Sequence, residues 1–262
     1  MVSIEDLQEY SDLFEMQNFE PKDVLFPPTR LMERTCGLTS REDFEAHGEE
    51  ILRALEAASP RPLTTYDSIL DFGVGCGRLA RMLPDFKGRY AGADIDVEAL
   101  KWTSSNLRWV EPVLLLPCNP FPLRPGQFEC IISISVFTNF NENDARFYLS
   151  ELKRMTKPGA NLFLTVHGER ALERTRAEQR LADMLCLNST ALDYTASKLK
   201  RNGFHFVKLN DHLMSGAREY GTAFVGRKHI EAVWSNYFEV VEIRSGAIHD
   251  FQDIVVLRRP AR

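Results

Sequence analysis

The stretch Asp71-Phe72-Gly73-Val74-Gly75-Cys76-Gly77 sets an acid two positions before three glycines that alternate with other residues. Glycine this dense marks backbone that must turn sharply or let a ligand come very close. A dinucleotide turn reads G-x-G-x-x-G and offers its amides to a pyrophosphate. Counted from Gly73, the third glycine of that pattern falls on Arg78, so the match fails. An acid beside the turn repels a pyrophosphate and suits an ammonium group. A second acid, Asp94, follows Asp71 by 23 residues, at the end of RYAGAD. That is close to the separation at which a carboxylate accepts from both vicinal hydroxyls of a ribose. Asp96 is expected to cap the helix starting near Val97, which leaves the ribose to Asp94.

The ligand implied carries an ammonium and a ribose but no phosphate. S-adenosylmethionine answers to that description and adds a sulfonium, so it is the expected cofactor. Methyl transfer from a sulfonium is an in-line displacement in which the protein mainly aligns the reactants. A hydroxyl acceptor must also lose a proton, preferably to a group with a pKa near ambient pH. His167, ending LFLTVHG, and His249, in AIHDFQD, are the candidate bases, because both fall at one edge of the expected sheet. Ser135 and Phe137, in SISVFTNF, are candidate walls of the acceptor cavity or packing residues. A metal site from His249, Asp250 and Asp253 is disfavoured, since strand alternation splits those side chains between faces. No metal is expected.

The elements that must position these residues alternate. Strands are expected at 68–72, 89–94, 113–116, 129–134, 160–166, 237–243 and 251–258, and helices at 77–83, 97–108, 143–155 and 171–186. Such alternation predicts an α/β fold, a doubly wound and mostly parallel seven-stranded sheet with helices on both faces. The short SGAIH connection between the last two strands predicts one antiparallel strand. Ligands bind such sheets beyond the C-terminal ends of the strands, where the glycine turn sits. Residues 1–66 read as an N-terminal helical segment, broken at Pro27-Pro28, with Ser40 capping a helix ahead of Asp43. Residues 67–262 form the main domain, with a helical cap insert at about 170–235.

Composition sets outer limits. With 44% hydrophobic and 26% charged residues, the chain can bury a core. A net charge of −5 argues against broad gripping of nucleic acid, and Lys198, Lys200 and Arg201 read as a solvated helix end. Cys36, Cys76, Cys118, Cys130 and Cys186 lack a C-x-x-C, so neither a zinc framework nor a disulfide scaffold is expected. The acidic start MVSIEDLQEY has no apolar run and reads as no signal peptide, and no stretch approaches the ~18 apolar residues of a membrane span. A cytoplasmic protein acting on a small-molecule acceptor, with no nucleic-acid or membrane partner, is expected; the oligomeric state is left open.

Residues 69–167 resemble a class I S-adenosylmethionine-dependent methyltransferase, carried by ILDFGVGCGRLARML, YAGADIDVEAL, LPCNPFPLRPGQFECIISISVFTNF and YLSELKRMTKPGANLFLTVHGE. The last two stretches, with the tail YGTAF…YFEVVEI…QDIVVLRR, are similar to a subgroup found with glycan and natural-product biosynthesis. The resemblance implies that Asp71 and the backbone of Gly73 and Gly75, in the turn closed by Gly77, surround the methionine ammonium. Asp94 would hold the ribose and Ile95 would lie against adenine. The LPCNPFP loop would edge the adenine, with Cys118 and Asn119 where many relatives carry an acid. Cys118 reads equally as a buried small residue. Relatives often read SVFTHL, so Asn139 stands in place of a histidine. The implied activity is methyl transfer to a hydroxyl of a sugar-containing metabolite; alternatives are an N-methyltransferase or a non-catalytic cofactor-binding regulator.

Overall fold

The computed structural model describes residues 26–209 and 219–261. Three neighbouring strands open the sheet: β1 (Ser68–Phe72), β2 (Arg89–Asp94) and β3 (Val110–Leu114). β4 (Phe128–Ser133) and β5 (Thr156–Val166) extend it on the other side of β1. A hairpin of β8 (Glu239–Ile248) and β9 (Gln252–Arg258) completes the order β3-β2-β1-β4-β5-β9-β8. β9 runs antiparallel to both neighbours, and the pairs from β3 to β5 are parallel. The strand order reverses between β1 and β4, which opens a crevice at their C-terminal ends.

All five residues of β1 are buried, as befits a strand covered on both faces. On one face Leu70, Ile131, Leu164 and Val255 pack on Leu149 and Leu152 of α4 (Glu142–Met155). On the other, Ile69, Ile132, Phe163 and Ile254 pack with Ile51 and Leu55 of α2 (Arg41–Ala58), whose Ser40 cap accepts from the Asp43 amide. α1 (Thr29–Cys36) starts directly after Pro28, so Pro27-Pro28 precede a helix there. Of the expected helix in residues 1–35, residues 1–25 lie outside the described residues. α3 (Val97–Asn106) follows β2 and is capped by Asp96, whose carboxylate accepts from the Glu98 and Ala99 amides, as expected.

Four expectations need correction. Residues 77–83 form tight turns and a 3-10 turn at Ala80–Met82, with no α-helix. Gly77 has a φ of +77° and Pro84 follows, so too few residues remain to nucleate one. The segment 171–186 is split into α5 (Glu169–Ala177) and α6 (Gln179–Met184) at Glu178, which has extended backbone. The break lets Ala182 and Leu185 join Ala171 and Leu172 in a separate small core. SGAI is part of β8, and the connection is the tight turn 249–251. The insert is less uniformly helical than expected: after α7 (Ser189–Asn202), β6 (Phe204–Lys208) pairs with β7 (Gly221–Val225) before α8 (Arg227–Val233).

Candidate active site

Strand register brings the two acids together. Phe72 pairs with Ala93, so Asp94 comes level with the start of the glycine turn. The Gly73 amide donates to the Ala93 carbonyl at 2.8 Å, and the Gly75 amide donates to Asp94 Oδ2 at 2.7 Å. The Asp96 amide donates to Asp94 Oδ1 at 2.9 Å. Gly75 has a φ of +52°, and a Cβ there would lie 2.5 Å from Thr35 Cγ2 of α1. A Cβ on Gly73, at φ +86°, would collide with Val136. These glycines are therefore required both by conformation and by close approach.

Asp71 is buried and accepts from the Tyr90 hydroxyl at 2.7 Å. Burial raises its pKa to about 7, helped by the charge of Asp94 and opposed by Tyr90 and Arg78. An ammonium placed beside it would draw it back to the ionised form. Burial also raises the pKa of Asp94, against its backbone hydrogen bonds. The Gly75, Asp96 and Ile95 backbone amides leave acceptor capacity on the Asp94 carboxylate for a ribose hydroxyl. This donor set fits S-adenosylmethionine. Ile95 packs on the core beside β2. In the loop beyond β3, Asn119 Nδ2 donates to the Pro117 carbonyl and the Cys118 amide to the Tyr148 hydroxyl. Cys118 is exposed, with φ +56°, so its reading as a buried small residue is corrected.

The edge where the acceptor is expected lies at the ends of β4, β5 and β9. Ser135 has a φ of +60°. Its amide donates to Thr165 Oγ1 at 2.7 Å, and its hydroxyl accepts from Gln252 Nε2 at 3.0 Å. Asn139 Nδ2 donates to the Ser135 carbonyl at 2.8 Å, so the amide that replaces histidine holds backbone in place. Phe137 is buried against Phe72, Phe140 and Trp234, which gives it a packing role. His167 ends β5 beneath the insert: it bridges to Phe224, and its ring lies 5.1 Å from that of Phe251. Burial lowers its pKa to about 4, opposed by a hydrogen bond with the Ala223 backbone, and its Nδ1 is buried with no hydrogen-bond partner among the described residues. His249 lies in the β8–β9 turn, facing α2, 2.7 Å from Glu50 through Nδ1. His212 and Arg218 of the insert lie outside the described residues.

Gln252, Thr165, Glu50, His47 and Arg78 escape the sequence reading. Gln252 reaches Ser135 across 117 residues, a pairing that strand order alone reveals. Arg78 directly follows the glycine turn, and that position was its only sequence signal. It is buried, with Nη1 2.8 Å from His47 Nδ1. No helix among the described residues is long and apolar enough to cross a membrane.

Residues 70–164 match a family model described as a methyltransferase domain. Among solved structures, a protein of Pyrococcus horikoshii OT3 superposes with a TM-score of 0.60 at 12% identity, over 88% of this chain and 97% of that one. The glycopeptide N-methyltransferase MtfA complexed with S-adenosyl-L-methionine gives 0.55 at 11% identity, over 81% and 94%. Human N-acetylserotonin methyltransferase in complex with the same ligand gives 0.55 at 16%, over 89% of this chain and 57% of that one. At these identities the likeness is one of fold, while the family match falls on β1 to β5, where the glycine turn and Asp94 stand. Residues 70–164 thus carry the match to a methyltransferase domain, set in a chain that shares the fold of these structures.

Proposed function

We propose that the acceptor is a small polar metabolite methylated on a hydroxyl, with a sugar-containing compound as the favoured class. The observation that carries this is the acceptor edge itself. Neutral hydrogen-bonding groups gather there, Ser135 with Gln252 and Thr165, and His167 adds a buried nitrogen with no partner among the described residues. Such groups suit a polyhydroxylated ligand, and an unpaired buried nitrogen is costly until something binds to it. When bound, S-adenosylmethionine supplies an electrophilic methyl on sulfonium, whose bonding pair stays on sulfur as the methyl leaves.

The residues of this chain do the rest. Asp71 and the Gly73–Gly77 turn hold the ammonium end, Asp94 the ribose, and Ile95, Cys118 and Asn119 the adenine side. Ser135 orients the acceptor, and His167 or His249 receives its proton. The insert, joined to the end of β5 by the Val225 amide on the His167 carbonyl, closes the pocket. A second reading, N-methylation, draws on MtfA, an N-methyltransferase; an amine that arrives unprotonated needs no base.

The test is a panel of monosaccharides, nucleotide sugars, glycosides and amines, read by release of S-adenosylhomocysteine. Turnover confined to hydroxyl acceptors is expected. Turnover of amines alone selects the second reading. Tight binding of S-adenosylhomocysteine with no turnover on any member selects a non-catalytic regulator.

A further inference from the structure

The acceptor edge carries a pairing that the cofactor does not use. The Glu50 carboxylate, on α2, takes two contacts from one residue 199 positions away: the His249 amide donates to Oε1 at 2.7 Å, and His249 Nδ1 lies 2.7 Å from Oε2. An ionised carboxylate only accepts, so Nδ1 carries the proton and the lone pair is left on Nε2. Among the described residues no hydrogen bond is made by Nε2, and the side chain is 42% exposed.

The backbone presenting this ring adopts an uncommon shape. His249 and Asp250 have φ values of +55° and +52°, and the Phe251 amide donates to the Ile248 carbonyl. That is the pattern of a turn usually built from Asn-Gly. Three side chains pin it. Glu50 holds it from α2, and Arg174 donates to the carbonyls of His249 and Asp250 at 2.8 and 3.2 Å. Arg170 grips the Asp250 carboxylate through two nitrogens at 2.9 and 2.6 Å. A disfavoured conformation held by so many contacts is a mark of functional positions.

The same ring is linked to the cofactor turn. The His47 ring centroid lies 4.0 Å from that of His249, and Arg78, next after Gly77, contacts His47. The charged and titratable groups facing His249 are thus Glu50 and His47 of α2, Arg78 of the turn, Arg170 and Arg174 of α5, and Asp250 beside it.

We propose that Glu50 is a positioning residue that holds His249 in the Nδ1–H tautomer, and that Nε2 of His249 takes the proton of the acceptor hydroxyl. The proposal rests on the hydroxyl methyl-transfer reading above. The O–H bond breaks, the proton passes to Nε2, and the electron pair stays on oxygen to form the new bond to carbon. The imidazolium lies against Glu50 and returns its proton to solvent, which its exposure permits. His167, walled in by Phe224 and Phe251, has no such exit and serves as an acceptor contact.

Two measurements on the full chain test this. Nitrogen-15 spectra of the histidine imidazoles, assigned with His249→Ala and recorded with and without S-adenosylhomocysteine, need no acceptor. His249 is expected in the Nδ1–H tautomer, and Glu50→Gln, which keeps one acceptor oxygen, is expected to weaken that bias and lower its titration by about one unit, since an adjacent anion is lost. With a hydroxyl acceptor from the panel, His249→Ala should lower kcat ~10²–10⁴-fold, the usual worth of a general base. Glu50→Gln should lower it about 10-fold, move the rise of kcat/KM to lower pH, and add nothing to His249→Ala in the double variant. An Nε2–H tautomer, spectra unmoved by Glu50→Gln, or additive losses would overturn the proposal. A wild-type chain that binds no S-adenosylhomocysteine would overturn the cofactor reading instead, and the spectra alone would then decide the Glu50–His249 pairing.

Discussion

The left-handed residues of the cofactor turn and of the acceptor edge differ in kind. In the turn they are Gly73, Gly75 and Gly77, at φ of 86°, 52° and 77°. At the acceptor edge they are Ser135, His249 and Asp250, at 60°, 55° and 52°. The backbone shapes are alike, but the second set carries side chains and a cost of roughly 1–2 kcal/mol per residue. Glycine stands where only backbone has to approach. A side chain stands where its hydroxyl, ring or carboxylate makes a bond: Ser135 to Gln252, His249 to Glu50, Asp250 to Arg170. The glycine turn thus carries no such cost, which within the site falls on these three residues and on Cys118, at φ 56°, in the loop beyond β3.

The comparison breaks most visibly at Gly75. Valine there places a branched side chain at positive φ and against Thr35 of α1. The expected outcome is loss of S-adenosylhomocysteine binding by calorimetry, more than ~100-fold, with the circular dichroism of the sheet domain retained. Binding at wild-type strength would reduce the turn to a packing device.

Next in size is Asp94→Ala. It removes the proposed acceptor of two ribose hydroxyls and leaves the Gly75 and Asp96 amides without their carboxylate. At ~1.5–3 kcal/mol for each hydrogen bond to a charged group before compensation, affinity should fall by about 2–4 kcal/mol, or roughly 30- to 1,000-fold. Asp94→Asn keeps one acceptor oxygen and should lose less. Equal affinity in wild type and both variants would remove Asp94 from the site.

How much of this was legible follows the same division. The cofactor half is written in local stretches: a glycine turn, an acid before it, a second acid one strand later and a capping Asp96. Parallel register alone places Asp94 beside Gly75, so reading the elements in order is sufficient. The acceptor half joins Ser135 to Gln252 and His249 to Glu50 across 117 and 199 residues. No local pattern encodes either pairing. The order of β5, β9 and β8 was foreseeable from the hairpin, whereas the strand pair β6–β7 was hidden in a segment rich in helix formers. The helix expected at 77–83 failed because Gly77 takes a φ of +77° and Pro84 follows, which leaves too few residues to nucleate one.

Acid stability probes the unpaired nitrogen of the acceptor half. The folded pKa of His167, about 4, lies below the ordinary ~6.5, so the folded state binds this proton more weakly than the unfolded state. Its contribution to stability is therefore fully present above ~6.5 and is lost as pH falls through about 4. At ~1.4 kcal/mol per unit the loss approaches 3 kcal/mol. In thermal melts from pH 7 to pH 4, wild type should lose more stability than His167→Phe, which has nothing to protonate there. Parallel curves for the two proteins would mean that His167 is not the buried neutral group described.

The smallest effect should come from Ser135→Gly, which makes the acceptor edge resemble the cofactor turn. Glycine relieves a left-handed residue of about 1–2 kcal/mol. It also loses the hydrogen bond to Gln252, worth ~0.5–1.5 kcal/mol, and adds unfolded-chain entropy worth about 0.4–1 kcal/mol. These nearly cancel, so the melting temperature should move by only a degree or two in either direction. Turnover should still fall about 10-fold, because Gln252 loses its anchor at the acceptor, while affinity for S-adenosylhomocysteine stays near wild type. Ser135→Ala separates the two contributions: it keeps the strain, loses the bond, and should be the less stable by about 1 kcal/mol. If both variants turn over normally, the strain at Ser135 belongs to the Thr165 contact of its backbone amide, and the side chain has no part in holding the acceptor.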